Sequence, residues 1–193
     1  METTNLIEIR WHGRGGQGAV TSAELLARAA INEGKFAQAF PTFGTERRGA
    51  PVTAFTRISS QKPIRIRAGI TEPDIIIVFD ATLLHIMNVS EGLKNGGVVV
   101  INSPKSIQEL KAVFGGRSRL AVVNASLIAR ETLGVNIVNT TMIGALVKAT
   151  GVVKLESFSE PVRDRFGRLA ERNINAMKRA IEETVVEGVG IVG

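Results

Sequence analysis

The sequence predicts an α/β fold with a mainly parallel sheet, and three observations carry that expectation. A strand–turn–helix–strand order fills the first forty residues. Two β-branched runs, DIIIVFD at 74–80 and VVVIN at 98–102, lack polar alternation, which marks strands buried on both faces. Strand-like and helix-like stretches then interleave to the C-terminus, the pattern of a layered sandwich.

Taken in order, LIEIRW at 6–11 reads as the first strand. HGRGGQG at 12–18 is a glycine-rich turn, and AVTSAELLARAAINEG reads as a helix. Val20, Ala23, Ala27 and Ile31 keep helical spacing there, and Gly34 suits a C-terminal stop. KFAQAF, from Lys35, gives a second strand and so the start of a βαβ unit. PTFGTERRGAP at 41–51 reads as an ordered loop or hairpin-like excursion, VTAFTRIS from Val52 alternates as a strand, and KPIRIR at 62–67 suits an exposed or edge strand. ATLLHIMNVSEGLKNGG supplies a helix and turn between the two buried strands. SIQELKAVF is a short helix, RLAVVNA from Arg119 a strand, and NTTMIGALVKATGVV from Asn139 an apolar helix. A last long helix over 162–186 carries one apolar stripe at Phe166, Ala170, Ile174, Met177, Ile181 and Val185. No repeat or linker divides the chain, so residues 1–193 are expected to form one domain. The expected architecture is a Rossmann-like three-layer sandwich with a mainly parallel sheet and a long C-terminal helix.

Composition narrows the chemistry. With 193 residues, 44% of them hydrophobic, the chain is long enough for a substantial core. It contains no cysteine, which removes disulfides, thiolate nucleophiles and cysteine-ligated iron–sulfur clusters. Only His12 and His85 are present, too few for a structural zinc site, and no metal site is expected. The formal charge of +6 invites a nucleic-acid reading, but acids accompany the basic residues of the C-terminal part and no basic run interleaves with stacking aromatics. Solvated faces with one anion or partner patch are the better expectation, without nucleic acid. No apolar run is long enough for a membrane span, and METTNLIEIR lacks the order of a secretory signal, so a cytoplasmic chain is expected.

Gly13-x-Gly15-x-x-Gly18 satisfies the dinucleotide fingerprint read literally, and Arg14 adds a positive charge. The second half of that fingerprint is missing. The second strand ends in QAFP at 38–41, with no carboxylate for a ribose, and Glu33 precedes the strand. A P-loop motif is also absent. Two readings of the turn stay open: it binds another phosphate-bearing group, or, the favoured one, it packs backbone tightly against a neighbouring subunit. Asp80 is expected to cap the helix after its strand. His12 is expected to be a hydrogen-bonded turn residue rather than a base, and Glu46 to pair with a nearby arginine. No nucleophile–base–orienter set emerges, so no catalytic residue is assigned.

GRGGQGAVTSAELLARAA followed by AFPTFGTERRGAPVTAFTRIS resembles the gamma subunits of the 2-oxoacid:ferredoxin oxidoreductases, those of the pyruvate enzymes (pyruvate synthases) most closely. The likeness covers nearly the whole chain as one pyruvate/ketoisovalerate oxidoreductase gamma domain. Its markers are the GRGGQG turn and Phe43, Gly44, Glu46, Arg48 and Gly49, with T-F-G where S-Y-G is usual. The resemblance implies a subunit, inactive alone, of a heterotetramer with alpha, beta and delta chains. That assembly oxidatively decarboxylates a 2-oxoacid and transfers the acyl group to coenzyme A. By the same resemblance, thiamine diphosphate and Mg2+ would reside on the other subunits, as would the [4Fe-4S] clusters, through which electrons pass to ferredoxin. It also implies that Gly13, Gly15, Gly16, Gln17 and Gly18 face a ligand or partner. Arg14, Arg47 or Arg48 would then pair with a coenzyme A phosphate or a neighbouring carboxylate. The rival reading is a stand-alone nucleotide-binding or NAD-dependent oxidoreductase domain.

Overall fold

The computed structural model describes residues 6–42, 49–114 and 118–187. Its strands are β1 (Leu6–Arg14), β2 (Phe36–Pro41), β3 (Pro51–Ser59), β4 (Ile75–Val78), β5 (Val98–Asn102), β6 (Arg119–Val123) and β7 (Val185–Val186). Its helices are α1 (Ala19–Asn32), α2 (Ile107–Phe114), α3 (Ala125–Leu133), α4 (Asn139–Thr150), α5 (Ser159–Phe166) and α6 (Ala170–Glu183). The strands form one sheet in the order β2-β3-β1-β4-β5-β6-β7.

The sheet is mixed, which corrects the mainly parallel expectation. β1, β4, β5 and β6 run parallel, whereas β3 lies antiparallel to both β1 and β2, and β7 antiparallel to β6. The predicted βαβ start fails for the same reason. KFAQAF does become β2, but β3 takes the place beside β1, with Arg10 opposite Phe55 and Trp11 opposite Ala54. β2 and β3 follow one another in the chain and pair antiparallel, with Phe40 opposite Phe55, so the parallel pair of a βαβ unit does not form there.

One face of the sheet carries the larger core. Ile9 and Trp11 of β1, Ala54 and Ile58 of β3, and Ile77 and Val100 of the central strands pack against α1, α3, α4 and α6. The Trp11 indole donates to Thr56 Oγ1 at 3.0 Å, and that hydroxyl donates on to the Ala23 carbonyl of α1 at 3.2 Å. Buried polar atoms are thus satisfied inside an apolar layer. Gly144 lets α4 meet α6 closely: a β-carbon there would lie 2.3 Å from the Met177 carbonyl oxygen. On the opposite face, Ile76, Val78, Val99, Ile101, Leu120 and Val122 pack against α2 and the short 3-10 helix Ala81–His85. Among the described residues no helix packs on the β2–β3–β1 part of that face; residues 60–71 cross it instead.

Further differences are local. ATLLH forms one short 3-10 helix rather than a longer one. KPIRIR is not a strand: it crosses the sheet face, where its backbone finds side-chain partners instead of a ladder. The expected long C-terminal helix is present as α6, but its first part is set off as α5 by a break at Gly167, which takes φ 52°, and Val185–Val186 leave helix to pair with β6. The helix α3 has no counterpart in the sequence-based expectation.

Candidate functional site

The carboxyl ends of β1, β4, β5 and β6 open on one polar cleft of about 380 Å³. In α/β sheets ligands gather at this end, because successive helices begin there with their amide groups and positive dipole ends facing outward. Here Gln17 precedes α1, Ala81 and Thr82 open the 3-10 helix, Asn124 and Ser126 begin α3, and Val138 precedes α4.

The glycine turn forms one wall. Gln17 accepts from the Arg14 amide at 2.7 Å through Oε1, and its own amide donates to the Arg14 carbonyl at 3.0 Å. Gly16 takes φ 95° facing open space, a conformation that only glycine adopts readily. Gly18 takes φ 86° and caps α1 with backbone alone; a β-carbon there would lie 2.9 Å from Asn139 Cβ. A β-carbon on Gly13 would meet Ala19 Cβ at 3.3 Å. Two of the glycines therefore serve close packing within the chain, against α1 and α4. Gly15 is stitched to the far end of the 41–51 loop, donating to the Ala50 carbonyl at 2.9 Å and accepting from the Gly49 amide at 3.2 Å.

Arg14 is already occupied. Its Nε donates to Asp80 Oδ2 at 2.8 Å, Nη2 to Thr82 Oγ1 at 2.8 Å and Nη1 to the Gly49 carbonyl at 3.1 Å. Asp80 does cap the 3-10 helix, accepting from the Thr82 amide at 2.9 Å and from the Thr82 hydroxyl. Burial pushes the Asp80 carboxyl up, but Thr82 and then Arg14 outweigh it and hold the group below its ordinary value. Asp80 is thus an ionised clip between β4 and the glycine turn, a role that its capping pattern did not disclose.

His12 sits in β1 rather than in the turn, 4% exposed, and accepts at Nε2 from Arg10 Nε at 3.0 Å. Burial, then the Arg10 charge, lowers its pKa to about 4. Its Nδ1 has no partner among the described residues. The imidazole is therefore neutral and enclosed beneath the sheet face.

The opposite wall was not foreseen. Asn102 at the end of β5 donates to the Phe79 carbonyl and to Ser126 Oγ, both at 2.9 Å, and accepts from the Ser126 amide at 3.2 Å. Asn124 caps α3 by accepting from the Leu127 amide at 3.2 Å. Arg130 and Asn136 complete this wall, and the Arg130 guanidinium has no partner among the described residues. The readable signal was that two buried strands each end in asparagine, VVVIN and RLAVVN. Arg130 becomes a wall residue only once α3 exists. Arg47, Arg48 and Glu46 lie outside the described residues.

The NAD reading loses its geometric basis here. A dinucleotide site needs its carboxylate at the end of a parallel neighbour of β1 on the β2 side. That neighbour is β3, which runs antiparallel, and β2 ends one strand further out. Among the described residues there is no group of three or more His, Cys, Asp or Glu that could hold a metal ion. Nor is any helix among them long and apolar enough to cross a membrane.

Residues 8–183 match the family described as pyruvate ferredoxin/flavodoxin oxidoreductase. The chain is 54% identical over 183 residues to the pyruvate/ketoisovalerate oxidoreductases common subunit gamma of Thermococcus litoralis, covering 94% of this chain and 98% of that one. It is 52% identical to a pyruvate synthase subunit of Methanocaldococcus jannaschii, covering 92% and 97%. The crystal structure of pyruvate oxidoreductase subunit PORC from Thermotoga maritima superposes with a TM-score of 0.84 at 36% identity, covering 95% of this chain and 99% of that one. The chain therefore belongs to the pyruvate ferredoxin/flavodoxin oxidoreductase family, as a gamma subunit of a 2-oxoacid:ferredoxin oxidoreductase.

Proposed function

We propose that this chain serves an assembly that oxidatively decarboxylates a 2-oxoacid, with pyruvate as the first candidate, and that its cleft receives a phosphate-bearing part of coenzyme A. The observation that carries the ligand assignment is the convergence of helix N-termini on a cleft that also holds the unpaired cation of Arg130. Amide groups and dipole ends favour an anion there, and a guanidinium adds a charge-assisted hydrogen-bond donor. Exposed Val135 and Ile137 beside Asn136 offer apolar contact to the rest of such a ligand.

In this reading the chain contributes binding and positioning, and no residue of it is assigned a bond-making role. The sequence has no cysteine, so cysteine-held [4Fe-4S] clusters belong to other chains of the assembly, with thiamine diphosphate and Mg2+. Alpha, beta and delta chains are the proposed partners, with ferredoxin receiving electrons through the complex. The Asp80 clip gives the turn its role: it neutralises Arg14 and holds the glycine wall still, leaving Arg130 to meet the anion.

The test is steady-state kinetics of the assembled complex carrying Arg130→Gln. One lost charge-assisted contact predicts a KM for coenzyme A about tenfold higher with kcat little changed. An unchanged KM in a normally assembled complex overturns the ligand assignment. Arg48→Gln, outside the described residues, is the companion variant for the loop cations.

A further inference from the structure

At the other end of β1, residues 60–71 are held as an ordered strap across the β2–β3–β1 face. Ser59 Oγ accepts from the amides of Gln61 and Lys62 at 3.4 and 3.2 Å, turning the chain. The Ile66 carbonyl accepts from Arg57 Nη1 at 3.2 Å and from the Gln38 side chain. Further on, Ile70 is buried and its carbonyl accepts from Arg10 at 3.4 Å. Between these anchors lies a mostly apolar hollow of about 550 Å³, bounded by Leu6, Pro63, Ile64, Ile66 and the stems of Lys62 and Arg65.

Two properties make this more than a surface dent. Ile66 is 55% exposed although the chain around it is pinned, so an apolar side chain is presented outward on a rigid support. Lys62, Arg65 and Arg67 fall within six residues, no Asp or Glu occurs between Arg57 and Glu72, and none of the three has an ion-pair partner among the described residues. Of the nearby carboxylates, Glu8 pairs with Arg57 at 2.8 Å and Asp74 with Lys94 at 2.9 Å and with the Glu8 amide at 2.8 Å, and Glu72, just past the strap, makes no ion pair with Lys62, Arg65 or Arg67. The strap therefore lacks a counter-charge of its own.

We propose that this hollow docks an extended, acidic segment of a partner subunit. An apolar side chain of that segment seats between Leu6, Pro63 and Ile66, and flanking carboxylates pair with Lys62, Arg65 and Arg67. Charge complementarity selects the occupant. A second copy of this chain docking through the same patch would set three cations against three. A nucleic acid would find no aromatic ring in the hollow on which to stack a base. The surface lies at the amino end of β1, about 25 Å from the cleft by strand rise, so docking leaves the cleft open. The inference rests on the proposed assembly only in that it supplies the partner.

The experiment uses the complex purified with its partner chains, this chain bearing a photo-crosslinking amino acid in place of Ile66. The expected product joins it to a different subunit, at a peptide with at least two carboxylates beside an apolar residue. In parallel, Lys62→Glu/Arg65→Glu/Arg67→Glu is expected to weaken assembly at least about tenfold, most strongly at low salt. Urea unfolding of the variant chain checks that it folds, and the crosslink stands if it does not. Crosslinks to a second copy, to residues 1–5 of the same chain or to RNA overturn the proposal. So does wild-type assembly of the triple variant. A normal crosslink with unchanged coenzyme A kinetics in Arg130→Gln would sink the ligand reading alone, whereas the reverse pattern would sink only the docking surface.

Discussion

The second face of the sheet is two surfaces closed by different physics. Over β4, β5 and β6 it is aliphatic, and α2 and the short 3-10 helix cover it with Leu83, Ile107 and Leu110. Over β2, β3 and β1 it presents Gln38, Phe40, Phe55, Arg57, Glu8, Arg10 and His12, and irregular chain covers it. Helices satisfy their own backbone, so an apolar surface suffices beneath them. Irregular chain brings unpaired carbonyls, and those must be met by side-chain donors from the sheet. Arg10 meets Ile70, Val89 and Glu91, and Arg57 meets Ile66 while lying 5.5 Å over the Phe40 ring. The comparison teaches that buried arginines here substitute for a missing helix.

The largest test removes a side chain from the aliphatic half. Ile101→Ala deletes a fully buried chain and should cost about 4 kcal/mol in urea unfolding, with the lost methylenes leaving a cavity. Arg10→Met should cost about 3 kcal/mol, because it leaves buried carbonyls unmet although it keeps the apolar stem. Arg10→Lys should recover only part, since one ammonium cannot span the carbonyls and the His12 nitrogen together. If Arg10→Met were neutral, the substitution account of that face would fall.

Acid separates the halves in a different way. His12 has a folded pKa of about 4 against an unfolded value near 6.5, so the unfolded chain binds the extra proton in that interval. Its contribution is fully present above pH 6.5 and is lost as pH falls to about 4, roughly 3 kcal/mol in all. The depressed carboxylates Asp80 and Glu33 also lose stability in acid, but below their ordinary values, so the interval above pH 5 reports on the imidazole. His12→Gln should flatten the unfolding midpoint between pH 6.5 and 5; an unchanged slope would place the titration elsewhere. The smallest effect belongs to the solvated Arg28–Asp164 pair, where Arg28→Ala should shift stability by about 0.3 kcal/mol.

Much of this molecule was legible from local pattern. Unbroken β-branched runs marked β4 and β5, helical spacing marked α1 and α6, and the glycine turn stood where a strand gives way to a helix. Residues such as Ile76 and Val100 carry that information alone, because burial on both faces demands apolar side chains whatever the neighbours are. The paired glycine-turn and FGTERRG signatures also disclosed the family.

Pairing was decided only by the tertiary structure. KFAQAF looks the same whether it lies beside β1 or one strand away, and its place follows from its antiparallel pairing with β3, which occupies the position beside β1. KPIRIR alternates like a strand, yet no ladder edge is available to it, so its backbone is held by Arg57, Gln38 and Arg10. The cleft likewise needed the fold: Arg14 and Asp80 are 66 positions apart and neutralise one another, while Arg130 becomes the free cation among the described residues of the cleft lining. Periodicity is local and survives in the sequence. Which charges meet depends on long-range packing, and that exists only after the chain has folded.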